Sequence, residues 1–432
     1  ANATLFNSWL VKASIRVDGA SRFGVNSKFG TFPAASVGWL ASNEPFLQES
    51  QTVSNLKLRA SWGITGNTNT NPFASRTEFN TTTYNQRPGF FLERLGDSDL
   101  SWEETEQYDI GLDVGLFDNR LNTSFDYYTK STDGLLFDFP IPCTNGVRNV
   151  IQNIGEIQNT GFEWVLNTKN INRANFSWDT NLNLAFNTNE VKALPDGADI
   201  IRPTKIIREG ETVSSWYFVE YAGVDPDNGD ALYYLNTELP EGSLDRGTTN
   251  NFIDASRRIL GNPFPDVIGG LTNNFRFNGI DFSFTFQGEW GAQLYNGGGI
   301  YQSSNADFFD NQTRDQLDRW QQPGDITNVP EARLFGGNGS QDSSRYLEDA
   351  DFIRLRNLTL GYSLPSDVTD KIGMDRIRVY FTGVNLLTFT NFSGWDPEST
   401  ADFTQSNSLA SGYVFYSPPQ ARTLTLGFNV DF

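Results

Sequence analysis

The feature that most constrains this sequence is a strict alternation of apolar and polar residues over segments of about ten residues. In residues 56–65, Leu, Leu, Ala, Trp and Ile alternate with Lys, Arg, Ser, Gly and Thr. The same two-residue period runs through residues 9–18, 108–116, 176–187, 280–290 and 424–432. Successive side chains of a β-strand point to opposite faces. The pattern therefore predicts strands with one apolar face and one polar face.

Less regular segments bring the total to about twelve strands, each near the length that crosses a bilayer when tilted. They are residues 35–40, 121–130, 162–168, 267–277, 352–364 and 377–389. Helical periodicity is confined to residues 311–320 and 366–373. Short connections at 117–120, 170–175, 278–279 and 365–375 alternate with long polar stretches at 66–104, 131–161, 188–265, 296–350 and 391–418. Short turns at one end and long loops at the other are typical of outer-membrane barrels.

The polar faces of these strands are too hydrophilic for a dry core, so they suit a wide lumen filled with water or another domain. Aromatic residues make up 14% of the chain while its mean hydropathy is −0.43, a combination that suits a lipid-facing band on a polar protein. We therefore predict an all-β, transmembrane antiparallel β-barrel. Two alternatives are a secreted all-β protein with stacked sheets, and a narrow barrel closed by the twelve strands alone.

Composition excludes several functions. The chain has no histidine, so it cannot build a His-based nucleophile, an imidazole base or a His-ligated zinc site. Its single cysteine, Cys143, allows no internal disulfide. A net charge of −20 disfavours nucleic acid as a partner. We expect no enzymatic activity, no metal and no cofactor.

The long stretch 188–265 holds the aromatic residues that we predict to contact cargo, because flat rings stack on sugar C–H faces or peptide side chains. They are Trp216, Tyr217, Tyr221, Tyr233 and Tyr234. The alternative is that these rings hold the loop in place or face a protein partner. A nearby acidic group formed by Asp225, Asp227, Asn228 and Asp230 lacks the register of a calcium loop, so we predict a turn there.

The chain ends in a Leu-x-Leu-x-Phe-x-Val-x-Phe pattern. This resembles the terminal recognition strand of outer-membrane barrels, and it makes Phe428 and Phe432 candidates for a barrel-assembly signal.

Several strings together resemble SusC/RagA-type TonB-dependent transporters of Bacteroidetes outer membranes. They include ASIRVDGASRFG, FPAASVGWLASNEPF, LKLRASWGITGN, SWEETEQYDIGLDVGLFDNRL, NIGEIQNTGFEWVLNT, FIRLRNLTLGYSLP and VYFTGVNLLTFTNFSGWDPE. The resemblance runs in order along nearly the whole chain. It implies a 22-stranded barrel with an N-terminal plug, of which residues 1–432 would be the C-terminal portion, lacking the plug and the early strands.

The resemblance also implies partners and a location. The partners are TonB, through the missing N-terminal part, and a SusD-like surface lipoprotein, with transporter–lipoprotein pairs able to dimerise. Our leading hypothesis is therefore a multi-pass protein in the outer membrane of a Gram-negative bacterium that imports oligosaccharides or peptides. The second hypothesis is a docking or structural barrel that anchors a surface lipoprotein or a secretion complex without import.

Overall fold

The computed structural model describes residues 1–432 except 69, 143, 145, 241, 306 and 402–410, so Cys143 lies outside the described residues. The chain divides into two compact units. The first contains Ala1–Asn172, Trp178–Asp199 and Arg208–Glu211, and the second contains Arg173–Ser177, Ile200–Ile207 and Thr212–Phe432. Within the described part of the chain, no helix is long and apolar enough to cross a membrane.

Twelve strands lie wholly or mostly in the first unit. They are β1 (Asn2–Leu5), β2 (Trp9–Gly19), β3 (Phe29–Leu40), β4 (Val53–Asn67), β5 (Glu78–Tyr84), β6 (Arg87–Arg94), β7 (Glu103–Leu116), β8 (Leu121–Asp133), β9 (Leu136–Pro140), β10 (Asn149–Asn153), β11 (Glu156–Arg173) and β12 (Phe176–Ala193). The short strand β1 and the long strands β2, β3, β4, β7, β8 and β11 pair antiparallel in that order. Strands β5 and β6 form a separate hairpin, and β9 pairs with β10.

The register of β4, β7 and β8 separates an apolar face from a polar one. Ile110 lies opposite Ala60 on one side and Tyr127 on the other, and the side chains of Ile110 and Tyr127 are 65% and 53% exposed. On the opposite face, Arg59 forms ion pairs with three aspartates of these strands, Asp109, Asp113 and Asp126. The two faces therefore have the polarity that the alternation predicts.

Fifteen strands, β13–β27, lie in the described part of the second unit. They are Ile200–Ile201, Lys205–Ile207, Ser215–Val219, Tyr221–Val224, Ala231–Tyr234, Thr248–Thr249, Arg257–Ile259, Val267–Phe277, Ile280–Trp290, Gln293–Asn296, Leu347–Asp349, Phe352–Ser363, Arg376–Thr390, Tyr413–Val414 and Thr423–Asp431. The long strands β20, β21, β24, β25 and β27 pair antiparallel in that order.

Helices are short. The α-helical turns in the described part of the chain are α1 (Gly299–Gln302) and α2 (Ser366–Thr369). The 3₁₀ turns are Ala41–Asn43, Pro195–Gly197, Phe252–Asp254, Arg314–Asp318, Ser344–Tyr346 and Asp370–Ile372. Both segments with helical periodicity thus contain helical turns, but neither forms a helix longer than five residues.

All twelve predicted strands are confirmed, which makes this an all-β structure; β1 is an additional short strand. The sequence did not predict the short strands inside or at the edges of the long polar stretches, among them β5, β6, β9, β10, β13–β19, β22, β23 and β26. Many buried core residues also lie in or beside these stretches, although Phe32 of β3 belongs to a core of the first unit. One core of the second unit contains Trp216, Phe218, Tyr295 and Tyr346. A substantial part of the buried packing in the second unit therefore lies outside its long strands.

Candidate functional site

A three-stranded sheet in the second unit forms the floor of the candidate site. Strand β22 pairs antiparallel with β23 and parallel with β26. This arrangement places Asn296 beside Val414 and sets Leu294 opposite Glu348. Three segments that are far apart in sequence thus contribute Asn296, Glu348 and Val414 to one site.

Two adjoining cavities, of about 460 and 410 Å³, lie over this floor. They share four lining residues, Asn296, Ser303, Asp315 and Ser393, and we call them together the loop cleft. The larger cavity is also lined by Tyr221, Arg345, Tyr346 and Glu348, and the smaller by Arg314, Trp395, Val414 and Tyr416. Their size is in the usual range for small-ligand sites.

The polar groups of the loop cleft are held by neighbouring atoms. The Glu348 carboxylate accepts hydrogen bonds from the backbone N and the hydroxyl of Ser393, both at 2.7 Å. The Arg345 guanidinium donates to the carbonyl oxygen of Gly339 at 2.8 Å and to Asn305 Oδ1 at 3.3 Å. A ligand would therefore meet oriented donors and acceptors rather than mobile side chains.

Trp395 is the most exposed aromatic side chain of the cleft, at 61%. The next residue, Asp396, is buried and forms an ion pair of 2.6 Å with buried Arg354 of β24. Arg354 also pairs with Glu398 at 2.8 Å. The indole of Trp395 is thus open to solvent while the backbone beside it is fixed to β24.

The Asp396 carboxylate titrates below its ordinary range. Burial alone would raise its pKa. The hydrogen bonds from Arg354 and from the backbone N of Gln420 and Glu398 favour the ionised form and lower the pKa on balance. Asp396 is therefore charged at neutral pH, as its pairing with Arg354 requires.

The tyrosines around the cleft remain protonated at neutral pH. Burial raises the pKa of Tyr346 and of Tyr413 to about 12, and it also raises the pKa of Tyr221. The Tyr221 hydroxyl donates to the backbone O of Asn328 at 2.9 Å. These phenols thus offer apolar faces and neutral polar tips, not charge.

Two of the predicted contact residues lie in the interior. Trp216 and Tyr233 are 0% and 1% exposed. Trp216 packs on Phe218 and Tyr295, with ring centroids 5.7 and 5.9 Å away. The Tyr233 hydroxyl donates to Gln341 Oε1 at 2.9 Å. In this conformation both rings hold the loops together, which is the alternative weighed from the sequence.

The other three predicted residues are partly exposed, but the structure does not bring them together. Tyr221 lines the larger cavity. Tyr217 lies in β15 opposite Ile259 of β19. The Tyr234 ring lies under the Arg246 guanidinium, with 3.8 Å between the guanidinium carbon and the ring centroid. Of the five, Tyr221 is therefore the one that lines the loop cleft, and cargo contact by any of them stays a prediction.

Sequence reasoning missed the other aromatic side chains of the cleft, Tyr346, Trp395 and Tyr416. A tryptophan beside an Asp-Pro step within a polar loop is the signal that could have identified Trp395. Nothing comparable marks Tyr416, whose backbone has a positive φ of 50°. Its position depends on the pairing of β26 with β22, which joins residues more than a hundred positions apart.

The acidic group 225–230 is a turn, as predicted. Asp225 Oδ1 accepts from the backbone N of Asp227, and Asn228 Oδ1 accepts from the backbone N of Asp230. Asp230 pairs with Arg333 at 2.6 Å. Among the residues that the structure describes, no group of three or more His, Cys, Asp or Glu side chains is arranged to hold a metal ion.

The predicted assembly residues lie at the end of the chain. Phe428 lies in β27 opposite Val379 and is 75% exposed, and Phe432 is 87% exposed. Leu424 and Leu426 of the same row are 64% and 78% exposed. The terminal strand therefore presents a continuous apolar row, and its role in assembly stays a prediction.

Comparison with known proteins gives a consistent result. Residues 1–225 match the family model described as TonB dependent receptor-like, beta-barrel. TonB-dependent receptor P3 of Formosa agariphila is 36% identical over 99% of this chain and 44% of its own length. TonB-dependent receptor SusC of Bacteroides thetaiotaomicron is 30% identical over 100% of this chain and 43% of its own length. The chain thus spans a little under half the length of these curated relatives.

Solved structures agree. The structure of the RagAB peptide transporter superposes with a TM-score of 0.88 at 26% identity, over 100% of this chain and 47% of that one. The RagAB peptide importer in its open-open state gives a TM-score of 0.85 at 27% identity. The fold described above is therefore shared along its entire length.

Proposed function

The chain belongs to the TonB-dependent receptor β-barrel family, and from this premise we propose that it is the C-terminal portion of an outer-membrane importer of SusC/RagA type. In this proposal, residues 1–432 supply barrel wall and extracellular loops. A plug and the remaining strands are supplied by other parts of the full-length protein.

The observation that carries the proposal is the similarity to the RagAB peptide transporter over the whole chain, loops included. The polarity of the long strands supports it, because an apolar face suits lipid and the ion pairs around Arg59 suit a wet lumen. The loop cleft adds a place where cargo can be held outside the membrane.

We assign the loop cleft to the capture of peptides or oligosaccharides. Both kinds of cargo combine apolar faces with many hydrogen-bonding groups. The exposed indole of Trp395 offers a stacking surface. The oriented groups of Arg345 and Glu348, with the side-chain amide of Asn296, offer donors and acceptors. None of these residues forms a nucleophile–base pair, so the proposed role is binding and transport, not catalysis.

The proposal includes two partners. A SusD-like surface lipoprotein closes over the loops, and TonB acts through the plug-bearing part of the full-length protein. The transporter–lipoprotein pair can dimerise. Energy coupling then belongs to the part of the protein outside residues 1–432.

An uptake assay on the full-length protein in the outer membrane of a Gram-negative host tests this function. Fluorescent peptide and oligosaccharide mixtures serve as separate probes. We expect Trp395→Ala to reduce uptake of one probe by roughly twofold to tenfold, because an aromatic stacking contact contributes about 0.5–1.5 kcal/mol. The matched control is Phe309→Ala, which removes a 92% exposed aromatic ring that does not line the cleft.

The docking hypothesis gives a different result in the same assay. If neither probe enters cells that express the wild-type protein, while a surface lipoprotein still co-purifies with it, the import proposal is wrong and docking is favoured. Equal uptake by the Trp395→Ala and wild-type proteins would contradict cargo binding in the loop cleft. It would leave the proposed import function standing.

A further inference from the structure

Lys205 carries a buried amine that has no carboxylate partner among the described residues. Its side chain is 4% exposed, and its Nζ lies 3.1 Å from the centroid of the Trp216 ring. The same nitrogen donates to the backbone O of Ser214 and of Ser411, both at 2.9 Å. Lysine is seldom buried unless it is paired. The site is therefore an unusual one for this residue.

The surrounding backbone is shaped around this contact. Ser214 has a positive φ of 63°, a disfavoured conformation for a residue with a side chain, and its buried hydroxyl has no hydrogen-bond partner in the described structure. Gly412 has a φ of 81°, and a Cβ atom there would lie 2.9 Å from the Trp216 ring. Lys205 and Trp216 thus hold the backbone of residues 411–412 close to the Trp216 ring. A residue larger than glycine at position 412 would not fit this close approach.

This contact connects directly to the loop cleft. Immediately after Ser411, the backbone O of Gly412 accepts from Tyr295 N at 2.9 Å, and that of Val414 accepts from Gly297 N at 2.8 Å. These bonds hold β26 against β22, and Val414 and Asn296 line the cleft. Releasing residues 411–414 would therefore remove one side of the cleft.

We propose that Lys205 is a positioning residue that holds residues 411–414 against the cleft, and that opening of this contact is coupled to the uptake of one proton by its amine. The consequence for cargo binding rests on the proposed function, whereas the proton-coupled opening does not. A fall in pH near the cell surface would then loosen this side of the cleft.

The sign of this pH dependence follows from proton linkage. Burial lowers the pKa of Lys205 to about 6 in the closed form, and exposure returns it to its ordinary value of 10.5. Between these values the open form binds more protons, so the closed form gains stability as pH rises. The Trp216 face and the two carbonyl oxygens favour the ammonium form and reduce the effect of burial without reversing it.

Other titratable groups around Lys205 do not account for this dependence. The phenols of Tyr295 and Tyr413 lie on the packed strands, and burial raises both of their pKa values, so they stay neutral. Asp342 accepts from the Tyr295 hydroxyl, and Asp349 accepts from Gln293 Nε2. The Arg257 guanidinium donates to the backbone O of Pro203. The variants below separate Lys205 from all of these groups.

Hydrogen exchange of the full-length protein in detergent, followed by mass spectrometry, tests the inference without any cargo. The readout is the protection of the Tyr295 and Gly297 amides, corrected for intrinsic exchange, from about pH 6.5 to about pH 9. We expect wild-type protection to rise with pH by up to about tenfold per unit. Lys205→Gln, which keeps two N–H donors but does not titrate, should give a flat profile.

Lys205→Met is the second variant and should be flat as well, with weaker protection throughout. Lys371→Met removes an exposed lysine and should retain the wild-type slope. A flat wild-type profile, or the same slope in Lys205→Gln as in the wild type, overturns the inference. Either result leaves the uptake assay intact, because that assay does not depend on the charge of Lys205.

Discussion

At the scale of single residues, glycine decides where the backbone can approach an aromatic ring. Gly412 combines a φ of 81° with close packing, because an added Cβ would lie 2.4 Å from Pro263 Cβ and 2.9 Å from the Trp216 ring. Gly210 has nearly the same φ of 83°, but nothing lies within 4 Å of an added Cβ. The two positions separate backbone strain from steric overlap.

We predict that Gly412→Ala destabilises the loop core more than Gly210→Ala does. Both variants incur the strain of a left-handed residue, about 1–2 kcal/mol. Gly412→Ala adds overpacking, which typically costs a further amount of about 1–3 kcal/mol. Thermal unfolding of the two variants in the same detergent measures the difference. Equal midpoints would show that the Trp216 core yields to the added methyl group.

Single residues also mark where sequence reasoning was weakest. The sequence predicts Trp216 and Tyr233 as contact residues because their flat rings can stack on cargo, yet both are buried. Their burial depends on rings supplied by distant positions, such as Tyr295, which stacks on Phe218 at 4.6 Å. A periodicity argument uses only neighbours in sequence, so it could not predict this packing.

At the scale of secondary structure, the long strands were predictable and the short ones were not. In β21, Phe282, Phe284 and Phe286 alternate with polar residues, and the observed bounds, Ile280–Trp290, coincide with the predicted ones. Strands such as β14 and β26 have two or three residues, too few to display a period. Their existence depends on partners elsewhere in the chain, which the local sequence does not specify.

The terminal strand gives a prediction at this scale. We expect Phe432→Ala to reduce the amount of folded full-length protein in the outer membrane several-fold, because it removes the aromatic end of the apolar row in β27. Heat-modifiable migration on SDS gels measures the folded fraction. Asn429→Ala, on the opposite face of the same strand, is the control and should be close to wild type. If both variants assemble equally, Phe432 carries no assembly signal.

At the scale of the whole molecule, the central question is which faces of the long strands meet lipid. Phe284 lies near the middle of β21, in a row of rings in which it approaches Phe282 and Phe286 at 5.7 Å each. Ser283 points to the opposite face, between Asn274 and Thr359. The two adjacent positions therefore test the two sides of the wall.

We predict that Phe284→Lys lowers the free energy of unfolding by about 2–4 kcal/mol, the cost of a lysine on the lipid face near the midplane of a barrel. Ser283→Lys should cost less than about 1 kcal/mol, since a charge facing a wet lumen stays hydrated. Phe284→Leu controls for the lost ring contacts. Chemical denaturation of the full-length protein in lipid vesicles measures all three. Similar costs for the two lysine variants would contradict a lipid-facing wall.

The buried pairing of Arg354 with Asp396 and Glu398 has a mechanical consequence. Arg354 belongs to β24, while Asp396 directly follows Trp395 of the cleft. Separating buried charges of this kind is costly, so residues 396–398 and β24 should move together as a rigid unit. A displacement of β24 along its neighbours would therefore also move the indole of Trp395. On the proposed function, such a displacement would change how tightly the loop cleft binds its cargo.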